Sequence, residues 1–236
     1  MPAPAEGRRL RSRRLLSQEE ILDAALDLLD EGGPNAASVR GIATRVGVAP
    51  NAVYTYFPDK ASVIKALGER LLGEVLQDSL DPCDESWRVC VEALALDLRA
   101  RLAAHPGAIT LMIGGPLDGP HALALQERLL QLLADAGVPA DVAARGAHLL
   151  IVYVFGSIAV EVTDRGQPGQ PGKETDRLPS PRRTLTDVQA QQFPRSAAAA
   201  TVIGGHASTE QYLWGLHRLL DAITASTAAN PEIETS

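Results

Sequence analysis

The sequence predicts an all-α protein, and three observations carry that prediction. Apolar residues recur three and four apart through most of the chain. Gly and Pro stop signals punctuate these runs at the spacing of successive helices. No stretch shows a convincing strand pattern of alternating apolar and polar residues. The expected architecture is an N-terminal three-helix helix-turn-helix domain followed by a larger α-helical bundle. The chain has 236 residues, of which 45% are hydrophobic and 22% charged, so it can bury a sizeable core.

Taken in order, residues 1–16 read as a basic flexible tail. Arg8, Arg9, Arg11, Arg13 and Arg14 crowd positive charge onto a chain of net charge −7. Such an arm suits a solvated end or a phosphate-neutralising one. It lacks the apolar region of a secretory signal. Ser17 then caps a helix whose first turn carries Glu19 and Glu20 beside the positive helix end. Ile21, Ala24, Ala25, Leu28 and Leu29 form its apolar face, and Gly32, Gly33 and Pro34 end it. Ser38 caps a short second helix reaching about Val46, with Val39, Ile42, Ala43 and Val46 inward. Gly47 stops it and accepts the positive φ of a tight corner.

"APNAVYTYF" reads as a third short helix. Pro50 suits the first helical position, where its missing N–H is no loss. Val53 and Phe57 face inward, and Pro58 closes it. A long amphipathic helix follows from about Lys60 to Ser79, with Val63, Ile64, Leu67, Leu71 and Val75 on one side.

Further helices are expected over 85–104, briefly over 108–113, over 121–136 and over 139–164. The middle of 139–164 is strongly apolar and therefore buried. A Pro/Gly-rich, charged stretch marks a mobile loop of about 165–206. A last amphipathic helix turns Tyr212, Leu213, Leu216, Leu219, Leu220 and Ile223 to the core, and 226–236 form a disordered tail. The domains are thus the tail 1–16, a helix-turn-helix domain 17–62, a ligand-binding and dimerisation bundle 63–225 and the C-terminal tail.

Several function classes drop out. No run approaches the ~18 apolar residues of a membrane span, so no membrane partner is expected. Cys83 and Cys90 are the only cysteines, and they read as two reduced thiols of a cytoplasmic protein. The five histidines are scattered without a metal pair. There is no catalytic triad candidate, no phosphate-binding Gly motif and no call for a cofactor. The chain is therefore not expected to be an enzyme. A helical enzyme stays a distant alternative, and a helical scaffold would explain the bundle but not residues 38–60.

Residues 38–60 carry the chemistry. Two short helices joined by a four-residue turn around a Gly form a helix-turn-helix signature. The second helix of such a pair enters the major groove and presents its N-terminal residues to base edges. Here those are Pro50, Asn51 and Ala52, with Thr55 one turn on. Asn can pair with adenine, and small apolar groups can meet a thymine methyl. Tyr54, Tyr56 and Lys60 suit phosphate contacts that fix register. Arg40, at the start of the preceding helix, is placed for a phosphate or a base.

The run "ILDAALDLLDEGGPNAASVRGIATRVGVAPNAVYTYFPDKASVIKAL" resembles the DNA-binding domain of the tetracycline-repressor (TetR) family along its whole length. The matching pattern is A-A-x-x-L-L-x-E-x-G, then S-V-R-x-I-A-x-x-x-G-V, then x-V-Y-x-Y-F-x-x-K. That resemblance implies DNA contacts at Arg40, Pro50, Asn51, Ala52, Tyr54, Thr55, Tyr56 and Lys60. Ala49-Pro50 departs from it, because many members place a capping Ser or Thr there.

Beyond residue 80, "ESWRVCVEALALDLRARLAAHPGA" still resembles the tetracycline-repressor branch. The resemblance implies a homodimer through a four-helix interface, for which the apolar faces of 148–160 and 212–223 are suited. It also implies a near-palindromic double-stranded operator and a small-molecule inducer. Activation, or regulation without a ligand, is the alternative within the same fold. Matching without gaps from Trp87 implies a pocket lined by Leu94, Leu98, Met112, Leu125 and Arg128, which Ile151 and Val154 of the long helix complete. Met112 stands where that branch has a histidine helping to hold a drug's magnesium ion. A thioether is a poor ligand for so hard a cation, so a hydrophobic inducer is expected instead of magnesium–tetracycline.

Overall fold

The computed structural model describes residues 16–79, 85–113, 115, 117–164 and 192–228. Among these, every regular element is a helix. They are α1 (Gln18–Gly32), α2 (Val39–Val46), α3 (Pro50–Tyr54), α4 (Lys60–Ser79), α5 (Trp87–Ala104) and α6 (Pro106–Met112). After them come α7 (Pro120–Asp135), α8 (Ala140–Asp164), α9 (Pro194–Ala198), α10 (Ala200–Ile203) and α11 (Thr209–Ala228). The all-α expectation holds, with helix ends within a few residues of those read from the sequence.

Local chemistry explains the first three helices. Ser17 Oγ accepts from Glu20 N at 3.1 Å, while Glu20 Oε2 accepts from Ser17 N at 3.1 Å, so two orphan donors of α1 are satisfied reciprocally. Ser38 Oγ accepts from Gly41 N at 3.0 Å at the start of α2. Gly47, with φ of 74°, ends α2 in the left-handed region, where its backbone N–H returns to Ala43 and Thr44 carbonyls. Ala49 offers no side-chain cap, and Pro50 opens α3. α3 is shorter than the expected nine-residue stretch: it ends at Tyr54, and Tyr56 and Phe57 continue as a turn with both backbone N–H groups on the Val53 carbonyl.

One continuous core runs from Ile21, Leu29, Ile42, Val53 and Phe57 through Leu67 and Leu71 of α4 into the bundle. α4 is the shared strut, packing on α1 at one end and on α5, α6 and α7 along its length. A second junction joins α6 to α1. A Cβ on Gly107 would lie 2.3 Å from the Leu29 carbonyl oxygen, so only glycine lets the two backbones approach this closely. Beside it, His105 Nδ1 lies 2.7 Å from Asp30 Oδ2.

α8 packs on α5, α6, α7 and α11. α5, α8 and the start of α11 are also fastened by a polar cluster. Arg99 Nε donates to the buried Glu161 carboxylate at 2.8 Å, and its other nitrogens reach Thr209 Oγ1 at 2.7 Å and the Ala207 carbonyl at 3.1 Å. The Arg99 guanidinium lies over the Tyr212 ring, whose hydroxyl donates to the Ala95 carbonyl at 2.8 Å. Burial pushes the Tyr212 phenol well above its ordinary range.

Three expectations need correction. Residues 192–206 were expected within a loop, but they carry α9 and α10. Pro194 opens the first of these and an alanine run sustains them, in keeping with alanine's helix propensity. The rest of that expected loop, 165–191, and the two tails lie outside the described residues, apart from Leu16 and the stretch 226–228, which closes α11 as helix where a disordered tail was expected. Cys90 is disulfide-bonded rather than a free thiol; sequence spacing alone does not reveal such a bridge. α8 is long and apolar enough to cross a membrane by length and mean composition, although no unbroken run in it reaches 18 apolar residues, and its inward residues Ala143, Ala147, Leu150, Val154 and Ile158 are buried in the bundle.

Candidate nucleic-acid interface

α2, the Gly47 corner and α3 present the residues of the sequence motif on one surface of the N-terminal domain. Their inward side chains (Ile42, Ala43, Val53 and Phe57) are buried. That burial fixes which way the remaining residues point. Pro50, Asn51, Tyr54 and Thr55 are exposed, Ala52 is half-buried, and Tyr54 keeps 50% of its surface in water. Arg40 is exposed on α2. The Asn51 side chain therefore stands at the open N-terminal end of α3, where a groove-reading amide belongs. The Thr55 hydroxyl donates to the Asn51 carbonyl at 3.1 Å, which leaves its oxygen as an acceptor.

Two of the expected phosphate contacts are placed differently from one another. Lys60 is half-buried and its Nζ donates to the Pro34 carbonyl at 2.6 Å. An ammonium carries three donors, so this bond does not exhaust it. Tyr56 does not look outward as the sequence suggested. It is half-buried against the core, and its hydroxyl donates to the Leu16 carbonyl. The cause is the early end of α3: the turn after Tyr54 swings residue 56 back over the start of α1. Its one proton is already committed, so it holds the point where the N-terminal segment joins the domain.

The cations on this face are unequal. Arg45 of α2 is held by Glu31 and, at 3.7 Å, by Asp27 of α1. The Arg45 guanidinium keeps the Glu31 carboxyl below its ordinary range. Asp59 closes the far side, where its Oδ1 accepts from Ser62 N at 2.7 Å and from Ser62 Oγ at 2.8 Å. Those bonds hold the Asp59 carboxyl low.

The residues expected to line a ligand pocket divide into three groups. Leu94, Leu98, Leu125, Ile151 and Val154 do come together, with Val91, Leu129, Phe155 and Leu216, around an apolar void of about 20 Å³. That is room for roughly one water molecule. Met112 is not among them. It is buried on α6 and borders a separate cleft of about 470 Å³ against α4. Arg128 lines neither space and is half-exposed on α7. Met112 and Arg128 depart from the set because Met112 borders the cleft against α4 while Arg128 stays half in water on α7.

Sequence reasoning missed the residues that join the domain to the bundle, Gly107 against Leu29 and His105 against Asp30, and within the bundle it missed Glu69. The Glu69 carboxylate accepts from the backbone N–H groups of His121 at 2.7 Å and Ala122 at 3.2 Å. It thereby caps α7, whose own preceding residue, Gly119, has no side chain to do so. The Gly119-Pro120 start was a signal that a cap must come from elsewhere, but not from where.

Comparison with known proteins agrees with this geometry. Residues 21–67 match the family described as bacterial regulatory proteins of the tetR family, and residues 81–227 match the tetracyclin repressor-like C-terminal domain. An HTH-type transcriptional regulator of Saccharopolyspora erythraea is 37% identical over 159 residues, covering 66% of this chain and 66% of that protein. The tetracycline repressor protein class A from transposon 1721 of Escherichia coli is 27% identical over 164 residues, covering 70% of this chain and 76% of the relative. Among solved structures, the Streptomyces coelicolor TetR family protein ActR in complex with actinorhodin is 25% identical with a TM-score of 0.73, covering 90% of this chain and 97% of that one. The two family models together take in the helix-turn-helix region and nearly all of the described bundle, and the chain belongs to the TetR family of transcriptional regulators.

Proposed function

We propose that the protein is a cytoplasmic homodimeric repressor that binds a near-palindromic operator and is released by a hydrophobic small molecule. The observation that carries this reading is the α2–α3 unit, with its apolar side buried and Asn51, Tyr54 and Thr55 in water at the start of a short helix. Asn51 and Ala52 read base edges. Tyr54, Lys60 and Arg40 bind phosphates and set register, with Pro50 and Thr55 against the backbone. Tyr56 supports the arm's exit instead of touching a phosphate. The helix-turn-helix domain 17–62 and the bundle 63–225 act as separate functional units that share α4.

Dimerisation is supported by an outward apolar stripe on α8 and an exposed tryptophan on α11. On α8, Leu149, Val152 and Val160 lie exposed on one side, with Gly156 between them. On α11, Trp214 is 61% exposed. Contiguous apolar surface of this kind marks an association face. A two-fold pair of recognition helices then reads half-sites about one DNA turn apart.

Release by a ligand is supported by the apolar void between α5, α7, α8 and α11, and by relatives named for tetracycline repression and for a complex with actinorhodin. A void this small must open to admit an inducer, so the inducer favours a conformation other than the one described. The inducer shifts the pair of DNA-binding domains only to the extent that it binds that second conformation more tightly.

The test is anisotropy titration of the chain's own promoter DNA across a salt series. A saturable, salt-dependent complex is expected, weakened by Tyr54→Ala and Lys60→Ala. Wild type without a specific complex, or variants with undiminished affinity, would sink the reading.

A further inference from the structure

α8 carries a glycine, Gly156, that nothing else among the described residues accounts for. Glycine is a costly residue in the middle of a helix, because it packs nothing and loses more backbone freedom than alanine. The other glycines within the long helices α4, α8 and α11 each make room for a neighbour. A Cβ would meet Met112 at Gly68, the His121 ring at Gly73, Ile223 at Gly146 and the Tyr153 hydroxyl at Gly215. At Gly156 no such neighbour lies within 4 Å of the place a Cβ would take. The position is exposed, and Val152 and Val160 flank it one turn away on either side, both also exposed.

The complementary shape stands beside this notch. Trp214 of α11 leaves a large apolar ring in water. α8 and α11 run antiparallel: Gly146 lies against Ile223, and the Tyr153 hydroxyl donates to the Tyr212 carbonyl at 2.7 Å. By that register Gly156 is level with the turn just before Trp214. Long side chains on a helix lean toward that preceding turn, so the indole is carried to the level of Gly156. Leu150, Val154 and Ile158 of α8 and Tyr212, Leu216 and Leu220 of α11 take the inner side. Helical spacing therefore sets Gly156 and Trp214 on one shared outer face.

That face is uncharged at its centre. Residues 149–160 hold no charged side chain, while Arg145 and Arg218 are exposed at its margins. An apolar centre with a polar rim suits a protein partner and not a nucleic acid. A knob and a notch on one face of one molecule suit a two-fold contact, where residue i meets j while j meets i. The occupant that fits is a second copy of this chain.

We propose that Trp214 of each copy seats over Gly156 of the other, between its Val152 and Val160, and that this knob and notch select the partner. The pairing rests on the homodimer reading above; it adds the two positions that decide which chain is accepted.

The test is sedimentation velocity of the full chain over a range of concentrations, with circular dichroism to check each fold. Wild type is expected as a dimer. Trp214→Ala raises the dissociation constant about a hundredfold or more, since an anchoring tryptophan counts twice in a two-fold contact. Gly156→Leu fills the notch and raises it on the same scale, about a hundredfold. The two variants mixed in equal amounts dimerise again, at least about tenfold more tightly than either alone. In that mixed dimer one contact is the wild-type pair, and the other sets leucine against alanine. Leu123→Ser, which removes a 55% exposed apolar group from α7, leaves dimerisation unchanged.

Should Gly156→Leu fail to fold, Gly156→Ala takes its place. Alanine favours the helix in the isolated chain, so weaker dimerisation there does not come from a weaker helix. A mixture that stays monomeric, or a wild-type dimer that Trp214→Ala leaves intact, overturns the pairing while the homodimer reading stands. An equal loss in Leu123→Ser overturns the assignment to this face. A wild type that is monomeric throughout overturns both the pairing and the homodimer.

Discussion

The α2–α3 surface and the interior between α5, α7, α8 and α11 present a site in opposite ways. The first displays polar groups outward over a closed apolar base, with Asn51 and Tyr54 in water above Val53 and Phe57. The second turns leucines and valines inward around a void with room for roughly one water. On the proposed function, the first needs only a DNA groove to complete it, whereas the second must widen before it admits an inducer. A regulator needs both properties: a reading surface held rigid, and a bundle soft enough for a ligand to change.

If that division holds, variants in the bundle should alter stability and variants on the surface should alter operator affinity, with little crossover. Arg99→Ala is the largest perturbation. The Glu161 carboxylate, only 4% exposed, loses the Arg99 guanidinium that donates to it. Breaking a buried pair from one side costs about 3–5 kcal/mol, so chemical denaturation should show a large drop in midpoint. A drop within error would mean that the α5–α8–α11 joint is not what holds the bundle.

Asn51→Ala comes next and should act on the other property. One paired contact to a base is worth about 1–3 kcal/mol, read as weaker operator binding at constant salt slope with an unchanged melting temperature. Equal losses on specific and random DNA would instead make Asn51 a backbone contact. Ser17→Ala removes the α1 capping box and should cost about 1 kcal/mol of stability, measured by thermal melting. It should leave operator affinity intact at temperatures where the variant is folded.

The smallest effect concerns pH. The Lys65 ammonium holds the Asp118 carboxyl below its ordinary range. A depressed carboxyl contributes stability above its unfolded pKa and loses it as pH falls through the folded value. Stability of wild type and Asp118→Asn should therefore converge as pH falls through and below the ordinary aspartate range. Parallel curves would show that the α4 anchor of the 117–119 segment adds nothing.

The N-terminal domain was legible because its signals are local. Ser17 and Ser38 cap within three residues, Gly47 turns where positive φ is needed, and the inward positions of α1 and α2 follow from a 3.6-residue period. Tyr56 escaped the same reasoning. Its direction is decided by where α3 stops and by a carbonyl forty residues away in sequence. The bundle's pocket was half legible for a similar reason. Leu94, Leu98, Leu125, Ile151 and Val154 share helix faces that periodicity reveals, whereas Met112 and Arg128 depend on how α6 and α7 are rotated against α4. The wait for a cap on α7 could be inferred from Gly119-Pro120; that Glu69 of α4 supplies it could not.

By itself the sequence determined an all-helical chain, the order of its helices, the Gly-turned pair α2–α3 and the family to which it belongs, since all of these rest on contacts within a few residues or on a fixed motif. Tertiary structure alone decided the close approach of α6 to α1 at Gly107, the closure of the inner void and the opening of the cleft between α4 and α6. Those depend on the distance between backbones that are remote in sequence, and side-chain period carries no information about that distance.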